Sequence, residues 1–382
     1  MSVGPTPLEI FRAKGIPHRR MEDWKYTDLR QVLGADEIER ESPHEVTMRI
    51  SAPDSIEYAQ SDFDWYQEGL ERVERPPNWY ERLFEKFPGQ SAMEAVARAY
   101  DPGSMAMRVP AGTKLSQPLA LSFEGGGHRR IGLYIERGAS VTLMETHHVT
   151  SEGIRNVSLS VFLEEGAQLT HIRESKFSDD LVAVETVSVV QEKSSRYIAR
   201  FLNGGAKLSR TEVNITLAGE GAEADLSGVS VLGDKAHADI TTRIDHAVPN
   251  TTSRQLFKKV AGGKSRAVYQ GKIIVREGAV GSDSRQTAKA LLLSNHAEAD
   301  LKPELEILAD DVKCAHGAAV GDLDADSLFY LRSRGIPESE ARGLLIHAFL
   351  QEVVDGIEDE GLRGAAVEFI DSGLAWAMES AS

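Results

Sequence analysis

Cys314 and His316 stand two residues apart in DDVKCAHGAAVGDLDADSLFYLRSRGI, which runs from Asp310 to Ile336. A thiolate and a neutral imidazole are both donors to transition metals, and a thiolate is also a nucleophile. Cys314 is the only cysteine in 382 residues. The chain alone therefore forms no disulfide, and no zinc or iron–sulfur site built on several thiolates. On an extended segment, residues 314 and 316 project to one face and both could reach one metal. A strand ending between them would leave only one in reach. The competing reading of Cys314 is a small buried hydrophobe, a common state of free cysteine. Asp310 and Asp311 could add carboxylate oxygens, although adjacent acids at this point read first as a solvated turn.

Other chemistry-bearing stretches are weaker. EGGGHRR, from Glu124 to Arg130, is glycine-rich but lacks a GKS or GKT ending, so it reads as a hairpin loop rather than a phosphate cradle. His147 and His148 adjoin within an alternating run, which points them to opposite faces and prevents joint chelation. FKKVAGGKSRAVYQGK, from Phe257 to Lys272, is a basic stretch in an acidic protein and reads as a solvated loop or an interface lining. Trp24 and Tyr26 read as packing for N-terminal helices. No Ser/His/Asp or HExxH order is present.

The bulk properties narrow the partners. Apolar residues make up 41% and charged residues 27%, a soluble globular profile. With 43 basic and 59 acidic side chains the formal net charge is −16. That field repels phosphate backbones and anionic lipid, which argues against nucleic-acid and membrane partners. No apolar run reaches the roughly 18 residues that span a bilayer. The first residues lack the basic-then-apolar order of a signal peptide. A lone cysteine fits a reducing compartment, so a cytoplasmic location is expected.

Three textures must position the candidate residues. Residues 1–104 carry helical patterns, as in PLEIFRAKG, WYERLFEKF and SAMEAVARAY. From Met105 the period becomes two, with apolar Ile131, Leu133 and Ile135, then Val157, Leu159, Val161 and Leu163. The fragments ERGAS, EEGAQ, GEGAE and REGAV place Gly138, Gly166, Gly221 and Gly278 at turns, spaced near multiples of about 28 residues. Such spacing suggests stacked coils of strands and corners, with a sandwich as the competing fold. Past Asp324 the helical period returns. The helix after Pro337 carries two apolar stripes: Ile346, Phe349, Leu350, Val353 and Ile357, and beside them Ala341, Leu344, Leu345 and Ala348. One stripe suffices for a surface helix. The second is either buried or held for a partner.

LKPELEILADDVKCAHGAAVGDLDADSLFYLRSRGI resembles the C-terminal signature of the SufB/SufD family of iron–sulfur cluster assembly scaffolds. MEDWKYTDLR is similar to a tryptophan-lysine-tyrosine-threonine motif early in the SufD-type branch. The two lie about 280 residues apart, so the resemblance covers nearly the whole chain. It implies a mainly β fold, with a right-handed parallel β-helix over residues 105–322 between an N-terminal helical region, 1–104, and a C-terminal helical domain, 323–382. SufB-type members are expected to carry a cysteine in the strands before the signature and glutamates flanking its histidine. Here QTAKALLLSNHAEADLKPELEI holds no cysteine and the histidine stands in CAHGA, which favours the SufD-type branch.

The resemblance implies a non-catalytic scaffold subunit that binds no cofactor stably alone. A transient cluster or iron would be shared with a SufB-type partner, with His316 the ligand most strongly marked and Cys314 second. ATP would be held by a SufC-type ATPase docked on the C-terminal helices, where Leu344, Leu345 and Phe349 are the candidate contacts. The strands of residues 287–322 would pair with the SufB-type chain, or with a second copy in a homodimer when the chain is isolated. A scaffold without metal ligands is the main alternative. A polysaccharide-degrading β-helix is disfavoured by dispersed carboxylates.

Overall fold

In the computed structural model, the described residues are 6–39, 47–51, 56–60, 78–87, 91–101, 104–149 and 152–381. Among the described residues, eighteen strands form two nine-stranded sheets. The first sheet, A, runs β1 (Thr47–Ser51), β4 (Leu119–Glu124), β6 (Ser140–Val149), β8 (Gln168–Phe177), β10 (Arg196–Asn203), β12 (Glu223–Leu232), β14 (Thr252–Ala261), β16 (Asp283–Leu292) and β18 (Lys313–Gly321). The second, B, interleaves β2 (Glu57–Gln60), β3 (Met105–Val109), β5 (Gly127–Ile135), β7 (Gly153–Leu163), β9 (Leu181–Gln191), β11 (Leu208–Leu217), β13 (His237–His246), β15 (Arg266–Val275) and β17 (Glu298–Ile307). From β3 onward each strand pairs in parallel with the strand two further along, as β5 does with β7 and β6 with β8. That connectivity is a β-solenoid with one strand per sheet in each coil, and not a sandwich of hairpins.

The corners explain the loose repeat. Gly138, Gly166 and Gly221 each stand two residues before a sheet A strand with φ of 68°, 70° and 74°. Two other coils use Ser194 (φ 54°) and Asn250 (φ 58°) at the same place, and Asp311 (φ 53°) serves the last coil. Left-handed backbone costs a glycine nothing and an asparagine or aspartate little. In the coil before the last, the residue two positions before the strand is Gly281 (φ 74°), not Gly278. REGAV therefore belongs to the repeat but is offset by three residues. Backbone N–H groups bind along this edge from coil to coil, Gly138 to Glu165, Gly166 to Lys193 and Ser194 to Glu220.

Two stretches depart from the readings above. EGGGHRR is a corner, because β4 lies in sheet A and β5 in sheet B; it makes no hairpin. The basic stretch from Phe257 to Lys272 is no solvated loop: it comprises the second half of β14, a corner and most of β15, with Lys258 and Lys259 buried. Ordered strands stack here because aromatic Phe257 and Tyr269 pack face to face inside, their centroids 4.8 Å apart.

Helices cover the outer faces. α1 (Pro7–Lys14), α2 (Ala35–Ile38), α3 (Asn78–Glu85) and α4 (Ala92–Tyr100) belong to the N-terminal region, whose β1 and β2 close the first coil by antiparallel pairing to β4 and β3. Phe11, Leu29, Met93 and Val96 pack on Ile154 and Val184 of sheet B. The WKYT segment is a strap across that sheet. Trp24 lies 3.9 Å from the Arg210 guanidinium, the Thr27 hydroxyl donates to Asp239, and Arg210 and Gln270 both donate to the Asp23 carbonyl. α5 (Ala325–Ser333), α6 (Glu338–Val354) and α7 (Glu360–Ser380) follow the last strand. Ile346, Leu350 and Val353 of α6 and Ile357 just beyond it, with Phe369 and Ile370 of α7, bury Ile172, Leu202, Val229 and Val231 on the outside of sheet A. Among the described residues no helix is long and apolar enough to cross a membrane.

Candidate functional site

β18 ends the solenoid. It pairs with β16 on one side, Cys314 opposite Ser284 and His316 opposite Gln286, and forms the terminal strand of sheet A. Ser284 and Gln286 are buried inside the coil, so register and alternation place Cys314 and His316 on the inward-facing side of the last rung. The two thus share a face, the condition for reaching one metal. Their surroundings differ. Cys314 is half-buried against the cluster of Ile273, Val275 and Ala279, and burial raises its thiol pKa. It stays protonated at neutral pH, and any metal it binds must first displace that proton. His316 is exposed and forms no hydrogen bond or ion pair with a described residue. Asp310 and Asp311 are exposed in the turn between β17 and β18. Among the described residues no group of three or more His, Cys, Asp or Glu is placed to hold a metal ion.

The two terminal strands are unlike. β17 carries Glu298, Asp300, Lys302, Pro303, Glu304 and Glu306, a combination of charge and missing N–H that blunts an edge. Beyond Lys313, β18 reads CAHGAAVG, small and uncharged apart from the imidazole. Exposed Ile307, Leu308 and Val320 surround this end.

On the C-terminal helices the second stripe is split. Ala341 is buried, Leu345 half-buried, Ala348 exposed, and Leu344 is 49% exposed. Phe349 is half-buried and lies 4.7 Å from Lys258 Nζ, which also donates to the Phe349 carbonyl. Two residues that periodicity did not single out stand beside this surface. Phe329 is 73% and Tyr330 56% exposed on α5, which has no buried residue. The absence of any stripe in SLFYL was their signal.

A second constellation escaped sequence reasoning. Inside the early coils, Glu145 accepts from His147 Nε2 and His171 Nε2, both at 2.7 Å. Arg155 donates to His147 Nδ1 at 2.6 Å, and Tyr197 OH lies 3.0 Å from His171 Nδ1. Arg173 pairs with Glu185 at 2.8 Å. His147 Nδ1 also lies 3.0 Å from Glu185, burial lowers the pKa of His171, and the two carboxylates face the two guanidiniums of Arg155 and Arg173. Burial opposes the charge on Glu185, yet Arg173 and its neighbours hold its pKa down to about 2. His148, by contrast, faces outward, 3.2 Å from Glu174. Every member of the cluster is buried and its carboxylates are paired with its guanidiniums, so it ties the coils together.

Fold and site together define a scaffold: a stacked β-solenoid, closed by an antiparallel cap at one end and open at the other. Comparisons with known proteins agree. Residues 122–349 match the SufBD core domain of the SUF system for iron–sulfur cluster assembly. The chain is 30% identical to the iron–sulfur cluster assembly protein SufD of Escherichia coli, over 93% of this chain and 89% of that one. A SufBD family protein of Synechocystis is also 30% identical, over 93% and 87%, and one of Mycobacterium leprae 27%, over 94% and 91%. The chain belongs to the SufB/SufD family of iron–sulfur cluster assembly proteins.

Proposed function

We propose that this chain is the SufD-type, non-catalytic scaffold subunit of a cytoplasmic cluster-assembly complex. Through the β18 edge it pairs with a SufB-type scaffold, or with a second copy when alone. His316 contributes one ligand to iron or a nascent cluster shared across that junction, and the cluster is cargo passed on. Cys314 is the second candidate ligand, weakened by its half-buried, protonated thiol. A SufC-type ATPase, which supplies ATP hydrolysis, docks on α5 and α6 through Phe329, Tyr330 and Leu344, with Leu345 and Phe349 at the margin.

The observation that carries this reading is the open end, where one smooth, one-sidedly paired strand presents an unpartnered imidazole amid exposed apolar side chains. A lone imidazole is a fraction of a cluster site, which needs about four ligands. The test is the iron and sulfide content of the complex co-purified with its SufB-type and SufC-type partners. His316→Ala should lower both while leaving subunit stoichiometry intact. Unchanged iron and sulfide would support a purely structural subunit instead.

A further inference from the structure

Arginines on the outer face of sheet A follow a rule from rung to rung. Arg200 of β10 sits opposite Ser227 of β12 and donates to Asp225, two residues earlier on that strand, at 2.8 Å. Arg254 of β14 sits opposite Arg285 of β16 and pairs with Asp283, again two residues earlier, at 3.0 Å. Each also donates to the backbone carbonyl of its aspartate. Arg285 continues the series opposite Ala315 of β18, and the residue two positions earlier there is Lys313. The last rung thus offers a cation where the earlier ones offer an acid. Asp283, which lies opposite Lys313, is already held by Arg254. Arg285 and Lys313 are both exposed and form no hydrogen bond or ion pair with a described residue.

A neighbouring row shows how this face is covered further back. Lys258 of β14 pairs with Glu352 of α6 at 2.5 Å and donates to the Phe349 carbonyl. Its register partner on β16, Lys289, is exposed and makes no hydrogen bond with a described residue. Beside these cations β18 turns Ala315, Gly317 and Ala319 outward, and a Cβ added at Gly317 would meet nothing within 4 Å. A flat, uncovered floor with three cations therefore ends sheet A, in a chain of net charge −16.

We propose that this face of β16 and β18 docks an acidic segment of the SufB-type partner, whose carboxylates pair with Arg285, Lys313 and Lys289 as Glu352 pairs with Lys258. The inference rests on the proposed pairing along β18 and adds the chemistry that the partner must carry. Complementary charge across an interface sets partner choice and association rate. A second copy joined along β18 would bring the same cations to the junction, so the face favours an acidic partner over self-pairing. The overall negative charge repels a nucleic-acid backbone, which leaves protein carboxylates as the matching anions.

The test is calorimetric titration of the full chain with its purified SufB-type partner, at low and at high salt. Arg285→Glu and Lys313→Asp should each weaken the affinity by about tenfold at low salt, and the loss should shrink at high salt. Lys313→Asp also supplies the acid that the last rung lacks, so it should not lower the melting temperature of the isolated chain. Lys235→Glu reverses one exposed charge at the corner between β12 and β13 and should bind as the parent does. Equal affinity in the parent and every variant would overturn the proposal and leave the pairing along β18 standing. A parent that does not bind the partner at all would overturn both. A short single-stranded RNA that binds the parent but not the variants, with partner affinity unchanged, would assign the face to nucleic acid and overturn the proposal.

Discussion

Burial sets the behaviour of single titratable groups in this protein, and acid exposes it. His128 and His237 are pushed down to about 4 by desolvation. An unfolded histidine titrates near 6.5. Between those values the unfolded chain binds more protons, so stability is full above about pH 6.5 and falls as pH drops toward 4. Each of these rings accounts for a loss on the order of 3 kcal/mol across that window. Denaturant midpoints from pH 7 to 4 should decline, and replacing His128 with Asn should flatten part of the slope. A pH-independent midpoint over that range would contradict these assignments. In the internal cluster, Arg173→Leu leaves Glu185 and Glu145 buried with Arg155 as the one remaining guanidinium and should destabilise by about 3–5 kcal/mol, read as a lower melting temperature. The Cys314 and His316 pair was legible because its residue types are rare and close in sequence. Glu145, His171 and Glu185 were not. They occupy inward positions of strands where alternation leads one to expect Leu or Val, and only the coil geometry brings residues as far apart in sequence as His147 and Glu185 to contact distance.

At the level of elements, α6 has one face that the fold needs and one that it does not. Leu350 is fully buried against sheet A, so Leu350→Ala should cost about 2–5 kcal/mol and lower the melting temperature of the isolated chain. Leu344 is half exposed, and Leu344→Glu should leave that temperature nearly unchanged. In a pull-down it should weaken capture of the SufC-type partner by about tenfold or more. Equal capture would remove α6 from the docking surface. The two stripes could be read from spacing, but which was covered could not, because that depends on where sheet A lies. The corners teach a similar lesson. Glycines announced three of them, whereas Ser194, Asn250 and Asp311 hold the same left-handed backbone with no glycine to mark the site.

For the molecule as a whole, the proposed pairing turns on the difference between the terminal strands. Isolated chain should dimerise through β18 rather than β17. Val320 is 47% exposed at that end, and Val320→Glu should place charge against charge across a symmetric pair. Sedimentation should then give a monomer with an unchanged melting temperature, where the parent gives a dimer. A parent that is monomeric at high micromolar concentration would count against the edge. The helix–solenoid–helix plan was visible in the textures. The antiparallel cap was not, because β1 and β2 span only Thr47–Ser51 and Glu57–Gln60 within a region that reads as helical.

That cap has a consequence for polymer growth. A repeating coil is in principle a monomer for endless linear stacking, since each new coil presents the edge that received the last. Here β1 and β2 reverse direction against the first coil, so the added edge no longer matches the parallel ladder behind it. The chain is left with a valence of one. Joining two such units edge to edge consumes both parallel ends, and the ends left on the product are antiparallel strands of another kind. The same reversal that closes the first coil makes association through the last one self-terminating.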